Sequence, residues 1–143
     1  MNQLFYGDNL SIMREHLKDE SVDLIYLDPP FNSRRAYNII FKDQKGKQAA
    51  SQIEAFEDTW TWTLATAKAF DELMSLKTVP VSLKTQMNAF KSFMKKSDMM
   101  AYLTMMAIRL VEMRRVLKDT GSLYLHCDPT ASHYLKIILD QLF

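Results

Sequence analysis

The spacing of apolar residues changes several times along the chain, and each change marks an element. Val22-Asp23-Leu24-Ile25-Tyr26-Leu27 is a short apolar run rich in β-branched and aromatic residues, which predicts a buried strand. Pro29 and Pro30 stop it, because neither can donate to a sheet ladder. Before it, Gln3-Leu4-Phe5-Tyr6 is a short candidate strand ended by Gly7-Asp8. Asp8 or Asn9 then caps a helix with Leu10, Met13 and Leu17 as its apolar positions. Lys18-Asp19-Glu20-Ser21 turns the chain into the Val22–Leu27 run, so the opening residues predict one strand–helix–strand unit of a parallel sheet.

Helical spacing dominates later. Residues 53–96 read as helical in pieces: one beginning over Ser51 to Phe56, and one capped by Thr63 with Leu64, Ala67, Phe70, Leu73 and Met74 on a face. Pro80 breaks that helix, and a third opens at Ser82 with Met87, Phe90, Phe93 and Met94 as apolar positions. Trp60 and Trp62 are read as core residues, not as a stacking platform for bases. The clearest helix is capped by Ser97 or Asp98; Met99, Leu103, Met106, Leu110, Met113 and Leu117 form one apolar stripe, with Arg109, Glu112 and Arg115 off it. Lys118-Asp119-Thr120-Gly121 turns into a second buried strand, Ser122-Leu123-Tyr124-Leu125-His126. Asp128-Pro129 ends it, and Thr130 or Ser132 starts a last helix. The chain stops at Phe143 inside an apolar pattern, whereas a natural domain end is polar and frayed, so the expectation is a cut chain.

Composition narrows the class. With 143 residues, 48% hydrophobic and 24% charged, one globular domain is expected. A net charge of +1 gives no global signal for nucleic acid, so any DNA-facing charge is local. The local candidate is the stretch from Asn32 to Gln52, which carries Arg34, Arg35, Lys42, Lys45 and Lys47 and has no helical period; Tyr37 to Phe41 within it is a short strand or an ordered loop. A basic stretch after a strand-end acid suits phosphate contact, and a merely solvated loop fits the residues equally well. One cysteine fits a reducing compartment. No apolar stretch nears the roughly 18 residues of a membrane span, and the N-terminus lacks a secretion-signal layout, so a cytoplasmic protein is the simplest expectation.

The candidate chemistry lies at Asp28-Pro29-Pro30-Phe31. A carboxylate at the carboxyl end of a strand, a rigid corner and an aromatic ring stand where open α/β sheets bind ligands. An exocyclic amine on a nucleobase is a poor nucleophile because its lone pair is delocalised into the ring. Acceptors for both amino hydrogens draw the nitrogen towards tetrahedral geometry and stabilise the developing positive charge. Asp28 offers a side-chain acceptor, Pro29 a backbone carbonyl, and Phe31 a face for stacking. A base inside a duplex must be flipped out to reach them. His126, Asp128 and His133 carry ligand chemistry but fit no metal-site spacing, and Cys127 has no basic neighbour to activate it, so no metal centre is expected.

The Asp28–Phe31 motif stands in an ordered set with Leu4-Phe5-Tyr6-Gly7-Asp8-Asn9-Leu10, Asn32-Ser33, Ala55-Phe56-Glu57-Asp58-Thr59-Trp60 and Gly121-Ser122-Leu123-Tyr124-Leu125-His126-Cys127-Asp128. Over nearly its whole length the chain resembles the N-terminal, catalytic-motif part of a permuted, β-class site-specific DNA-methyltransferase of the adenine-N6/cytosine-N4 amino-methyltransferase family. The resemblance implies a partial Rossmann-like α/β methyltransferase domain, with parallel strands, crossover helices and a mostly helical insertion. Residues 1–36 and 97–143 would form its scaffold and 37–96 the loop and insertion, and the chain would end before the cofactor-binding half. It implies S-adenosylmethionine as methyl donor, double-stranded DNA with a flipped base as substrate and a restriction subunit as a potential partner. The aspartate leading the motif leans to adenine, although the class includes N4-cytosine enzymes.

The resemblance also assigns the base-binding roles above to Asp28, Pro29, Pro30 and Phe31, and brings Asp8 to the cofactor's adenine edge; on its residues alone Asp8 reads as a plain helix cap. The Phe-x-Gly-x-Gly cofactor loop of the family is not in this sequence, whose only glycines are Gly7, Gly46 and Gly121. In the family fold the strands of the cofactor half lie between the Gln3–Tyr6 and Val22–Leu27 strands. The isolated chain is therefore expected to expose strand edges, to be marginally stable, to bind cofactor weakly and not to methylate. Two other classes compete: a non-enzymatic DNA- or partner-binding module using the basic loop, and a magnesium-dependent phosphoryl-transfer enzyme. The second is disfavoured by the lack of a neighbouring carboxylate and of backbone donors at the two prolines.

Overall fold

The computed structural model describes residues 2–30, 35–38, 54–58 and 60–143. Its elements are α1 (Asn9–His16), β1 (Val22–Leu27), β2 (Arg35–Asn38), β3 (Glu54–Asp58), α2 (Leu64–Ser75), α3 (Val81–Met94), α4 (Asp98–Val116), β4 (Leu117–Leu125) and α5 (Pro129–Leu142). This is an α/β arrangement in which β1 and β4 form a two-stranded parallel sheet and β2 and β3 a separate antiparallel pair. Among the described residues no helix is long and apolar enough to cross a membrane.

Helix α4 is the centre. It packs against α1, α2, α3, α5 and β4. Tyr102, Leu103, Thr104, Ala107, Ile108 and Leu110 are fully enclosed, so the single stripe read from the sequence understates its burial: neighbours cover the helix nearly all round. The buried Thr104 hydroxyl is satisfied by donating to the Met100 carbonyl at 2.8 Å. Side-chain caps start four of the five helices: Asp8 accepts from the Leu10 amide, Thr63 from Thr66, Ser97 from Met100 and Asp128 from Ala131. Only the last differs from the expected Thr130 or Ser132; Asp128 caps because Pro129 at the first helical position needs no hydrogen-bond partner for its nitrogen. Helix α3 begins at Val81, one residue before Ser82, with Pro80 as a cap that has no side-chain hydrogen bond. Leu64 and Phe93, expected on packed faces, are exposed.

Helix α1 is fastened to α4 at both ends. At its start the Arg109 guanidinium binds Asp8 and Asn9; at its close Arg115 donates to the carbonyls of Met13 and Leu17 at 2.9 and 3.1 Å. Hydrogen bonds to Glu112 and Asp19 outweigh desolvation and hold the Arg115 guanidinium above its ordinary pKa. Arg14 joins the same network through Glu72 and Glu112.

Three expectations are corrected. Gln3–Tyr6 is not a strand: among the described residues no partner strand lies beside it, and Leu4 is 98% exposed. The opening is therefore a helix and a strand, without the strand before them. Of the helix expected to begin over Ser51 to Phe56, the described residues 54–56 belong instead to β3, whose backbone pairs with β2 in the register Tyr37↔Phe56, so pairing overrides local helix propensity there; residues 51–53 lie outside the described residues. The two parallel strands are not buried on both faces. Ile25, Leu27, Leu123 and Leu125 pack on the core, whereas Leu24, Tyr26 and Tyr124 alternate outwards, with Tyr26 70% exposed, because among the described residues the helices cover one face only. The Tyr37–Phe41 candidate is met in part by β2, and its residues 39–41 lie outside the described residues.

The turn expected at Lys118–Gly121 is incorporated into β4 as an irregularity. Val22 pairs with Leu117 but Leu24 pairs with Ser122, so β4 takes up three more residues than β1 over that interval. Gly121 makes this possible: a Cβ there would stand 2.6 Å from Leu117 Cδ1 and 3.0 Å from the Lys118 carbonyl oxygen. We expect Gly121→Ala to lower stability by about 1–3 kcal/mol through overpacking, read by denaturant unfolding.

Candidate active site

A cleft of about 570 Å³ opens at the carboxyl end of β1, a size that suits a nucleoside-scale ligand. Asp28, Pro29 and Pro30 line it just beyond the strand; Gly7, Asp8 and Asn9 line it from the start of α1; Met105, Met106, Arg109 and Met113 from α4; and Trp60 from the segment before α2. Residues far apart in sequence converge here because β1 and β4 pair in parallel and α4 runs into β4 without a loop.

Asp28 is an exposed carboxylate held from one side. The register Leu27↔Leu125 makes the two strands end level, and the His126 amide donates to the Leu27 carbonyl at 2.9 Å. The next residues therefore face each other, and His126 Nδ1 lies 2.9 Å from Asp28 Oδ1. The sequence puts His126 at the end of the second expected strand, inside the Gly121–Asp128 motif, and its side chain is weighed there only as a metal ligand. Its position is clear only from the observed strand end: β4 stops at Leu125, so His126, like Asp28 after β1, is the first residue past its strand, whereas the expected strand runs on through His126.

Asp8 does two jobs. Its Oδ1 caps α1 by accepting from the Leu10 amide at 2.8 Å, and its carboxylate receives Arg109 Nη2 at 3.0 and 2.8 Å. The Arg109 side chain, only 11% exposed, also donates to Asn9 Oδ1 and to the Met105 carbonyl. The helix-cap reading of Asp8 therefore holds, and the same side chain lines the cleft. Arg109, noted from sequence only as lying off the apolar stripe, is its electrostatic partner. Gly7, at φ 142°, adopts a backbone conformation that favours glycine where the chain bends into the cleft wall.

Both tryptophans pack against the hydrophobic core, as expected; Trp60 sits edge-on to Tyr102 at 6.1 Å, and Trp62 neighbours Phe70 with Lys91 over both rings. Of the basic candidates, Arg35 opens β2, while Arg34, Lys42, Lys45 and Lys47, together with Phe31 of the motif, lie outside the described residues. Asp128 is spent on the α5 cap, and among the described residues no group of three or more His, Cys, Asp or Glu side chains gathers as a metal site would require. Burial, and next the charge of Asp128, push the Cys127 thiol above its ordinary pKa, which disfavours the reactive thiolate.

A profile of the DNA methylase family matches residues 22–143. The chain belongs to that N6/N4 DNA methylase family. It is also 29% identical, over 145 aligned positions, to the Mod subunit of the type III restriction-modification enzyme StyLTI of Salmonella typhimurium strain LT2. The alignment covers 99% of this chain and 18% of the Mod subunit, so the chain spans under a fifth of that relative's length.

The double role of Asp8 makes a measurable distinction. Asp8→Ala removes cap and ion pair together and is expected to cost about 1–2 kcal/mol. Asp8→Asn retains a capping oxygen and should cost less than half of that in the same thermal or denaturant titration.

Proposed function

We propose that this chain supplies the base-binding catalytic corner of an S-adenosylmethionine-dependent DNA amino-methyltransferase, with adenine N6 as the target. The observation that carries this reading is the position of Asp28-Pro29-Pro30 at the carboxyl end of β1, on a cleft that also contains Asp8. In this proposal the flipped base presents its amino group to the corner. Asp28 and the Pro29 carbonyl accept its two hydrogens, which pulls the nitrogen out of conjugation and stabilises the cation forming on it. Pro29 and Pro30 keep the corner rigid, and Phe31 stacks on the base. Arg34, Arg35, Lys42, Lys45 and Lys47 contact DNA phosphates, which would steepen the salt dependence of binding.

The residues present fit part of a cofactor site. S-adenosylmethionine, when bound, supplies an electrophilic methyl group. Asp8 offers acceptors for a polar edge, and Met105, Met106 and Trp60 offer a soft, mainly apolar wall on the same cleft as Asp28. The glycine loop that cradles the donor in the family is absent from these 143 residues. In this proposal most cofactor contacts come from outside these residues. In the same proposal, residues 1–36 and 97–143 are the scaffold of a partial Rossmann-like domain, 37–96 are an insertion, and a restriction subunit is the protein partner, as the likeness to a Mod subunit suggests.

Two measurements test the proposal. In the full protein, Asp28→Ala should reduce methyl transfer to duplex DNA at least about 100-fold while cofactor affinity changes little; digestion of the product to nucleosides should give N6-methyladenine, and N4-methylcytosine would reassign the target. Calorimetric titration of the 143-residue chain alone with S-adenosylmethionine should show binding far weaker than micromolar, and a micromolar complex would overturn the assignment of the cofactor contacts.

A further inference from the structure

We propose that His126 is the positioning residue for Asp28: it takes up one carboxylate oxygen and so presents the other to the substrate amine. This rests on the role given to Asp28 above and adds a second residue, from a different strand, to the same site.

The geometry makes the assignment specific. Nδ1 of His126 stands 2.9 Å from Oδ1 of Asp28, and the backbone of His126 is fixed by its own amide on the Leu27 carbonyl at the same distance. Ring and carboxylate are thus carried by strand ends locked to each other, not by loops. Asp28 lines the cleft, and the contact of His126 with Asp28 is the route by which it is proposed to act on a ligand there.

The pair is a poor device for stability. The side chains are 60% and 65% exposed, and exposed pairs of this kind contribute little to folding. It is a good device for orientation. An exposed aspartate otherwise rotates freely about its side-chain bonds, and a methyl transfer that needs a lone pair in line loses rate steeply with sub-ångström misplacement. In the tautomer with hydrogen on Nδ1, the imidazole donates to Oδ1 and leaves Oδ2 to accept from the amine.

The test compares His126→Ala, His126→Asn and Asp28→Ala in the full protein, with unfolding curves as a control. The asparagine amide nitrogen falls near the place of Nδ1 and can donate the same hydrogen bond. His126→Ala should lower kcat roughly 10- to 100-fold with KM for DNA and the cofactor Kd within about two-fold of wild type, and His126→Asn should recover to within about five-fold of wild type. Wild-type kcat in His126→Ala alongside an inactive Asp28→Ala would overturn the positioning role and leave the reading of Asp28 intact. Asp28→Ala with full activity would instead overturn that reading. Equal loss in both His126 variants, with unfolding unchanged, would exclude the hydrogen bond as the cause. Nitrogen-15 NMR of the imidazole gives a readout free of activity: hydrogen on Nδ1, with a resonance displaced by Asp28→Ala, is expected. A ring protonated only on Nε2 and insensitive to that substitution would overturn the proposal.

Discussion

The parallel pairing of β1 with β4 is the constraint on which the site depends. These strands are far apart in sequence and need everything between them to return the chain to the same end of the sheet. Once Leu27 and Leu125 are level, the residues that follow have no freedom to be elsewhere: Asp28 turns into the proline corner and His126 lies beside it. The meeting of Asp28 and His126 at that edge is a product of register. Strand ends define it more tightly than any loop could, because ladder hydrogen bonds fix backbone position along the strand as well as across it.

Helix α4 provides the other half of the frame. Its burial on nearly every side means that it cannot slide without disturbing four other helices, and it enters β4 directly. Arg109 and Arg115, two turns apart, secure the two ends of α1, and one of those ends is Asp8. The two walls of the cleft are therefore referred to a single rigid element. The methionines of α4 serve both purposes: Met106 and Met113 belong to the core and also face the cleft, which a flexible, polarizable side chain can do without leaving a void.

What could be read in the sequence and what could not follow the range of the interactions involved. Helix caps at Asp8, Thr63 and Ser97 and the stop at Pro29-Pro30 were legible because each is decided within a few residues. The motif corner was legible for the same reason. Helix α2, by contrast, ends at Ser75, short of the break expected at Pro80, which instead starts α3. Gln3–Tyr6 has the composition of a strand, but a strand exists only where another backbone lies beside it, and composition cannot supply one. Glu54–Asp58 shows the converse, a helix-prone stretch claimed by a partner strand. The outward Tyr26 and Tyr124 were misread because an apolar run looks the same whether one face or both are covered. The contacts of His126 with Asp28 and of Arg109 with Asp8 were not legible because each joins side chains about a hundred positions apart.

The irregular stretch at Lys118–Gly121 gives the sheet slack of a particular kind. Three surplus residues are absorbed there, well before the strand ends, and the ladder beyond Ser122 runs in strict step with β1. Changes of length during evolution are thus borne unequally along one strand. Within the slack, a gained or lost residue resizes a protrusion; past it, the same event inverts every following side chain and moves the imidazole away from its carboxylate. The spacing from Ser122 to His126 is for that reason a better guide to whether a distant homologue preserves this site than overall similarity is.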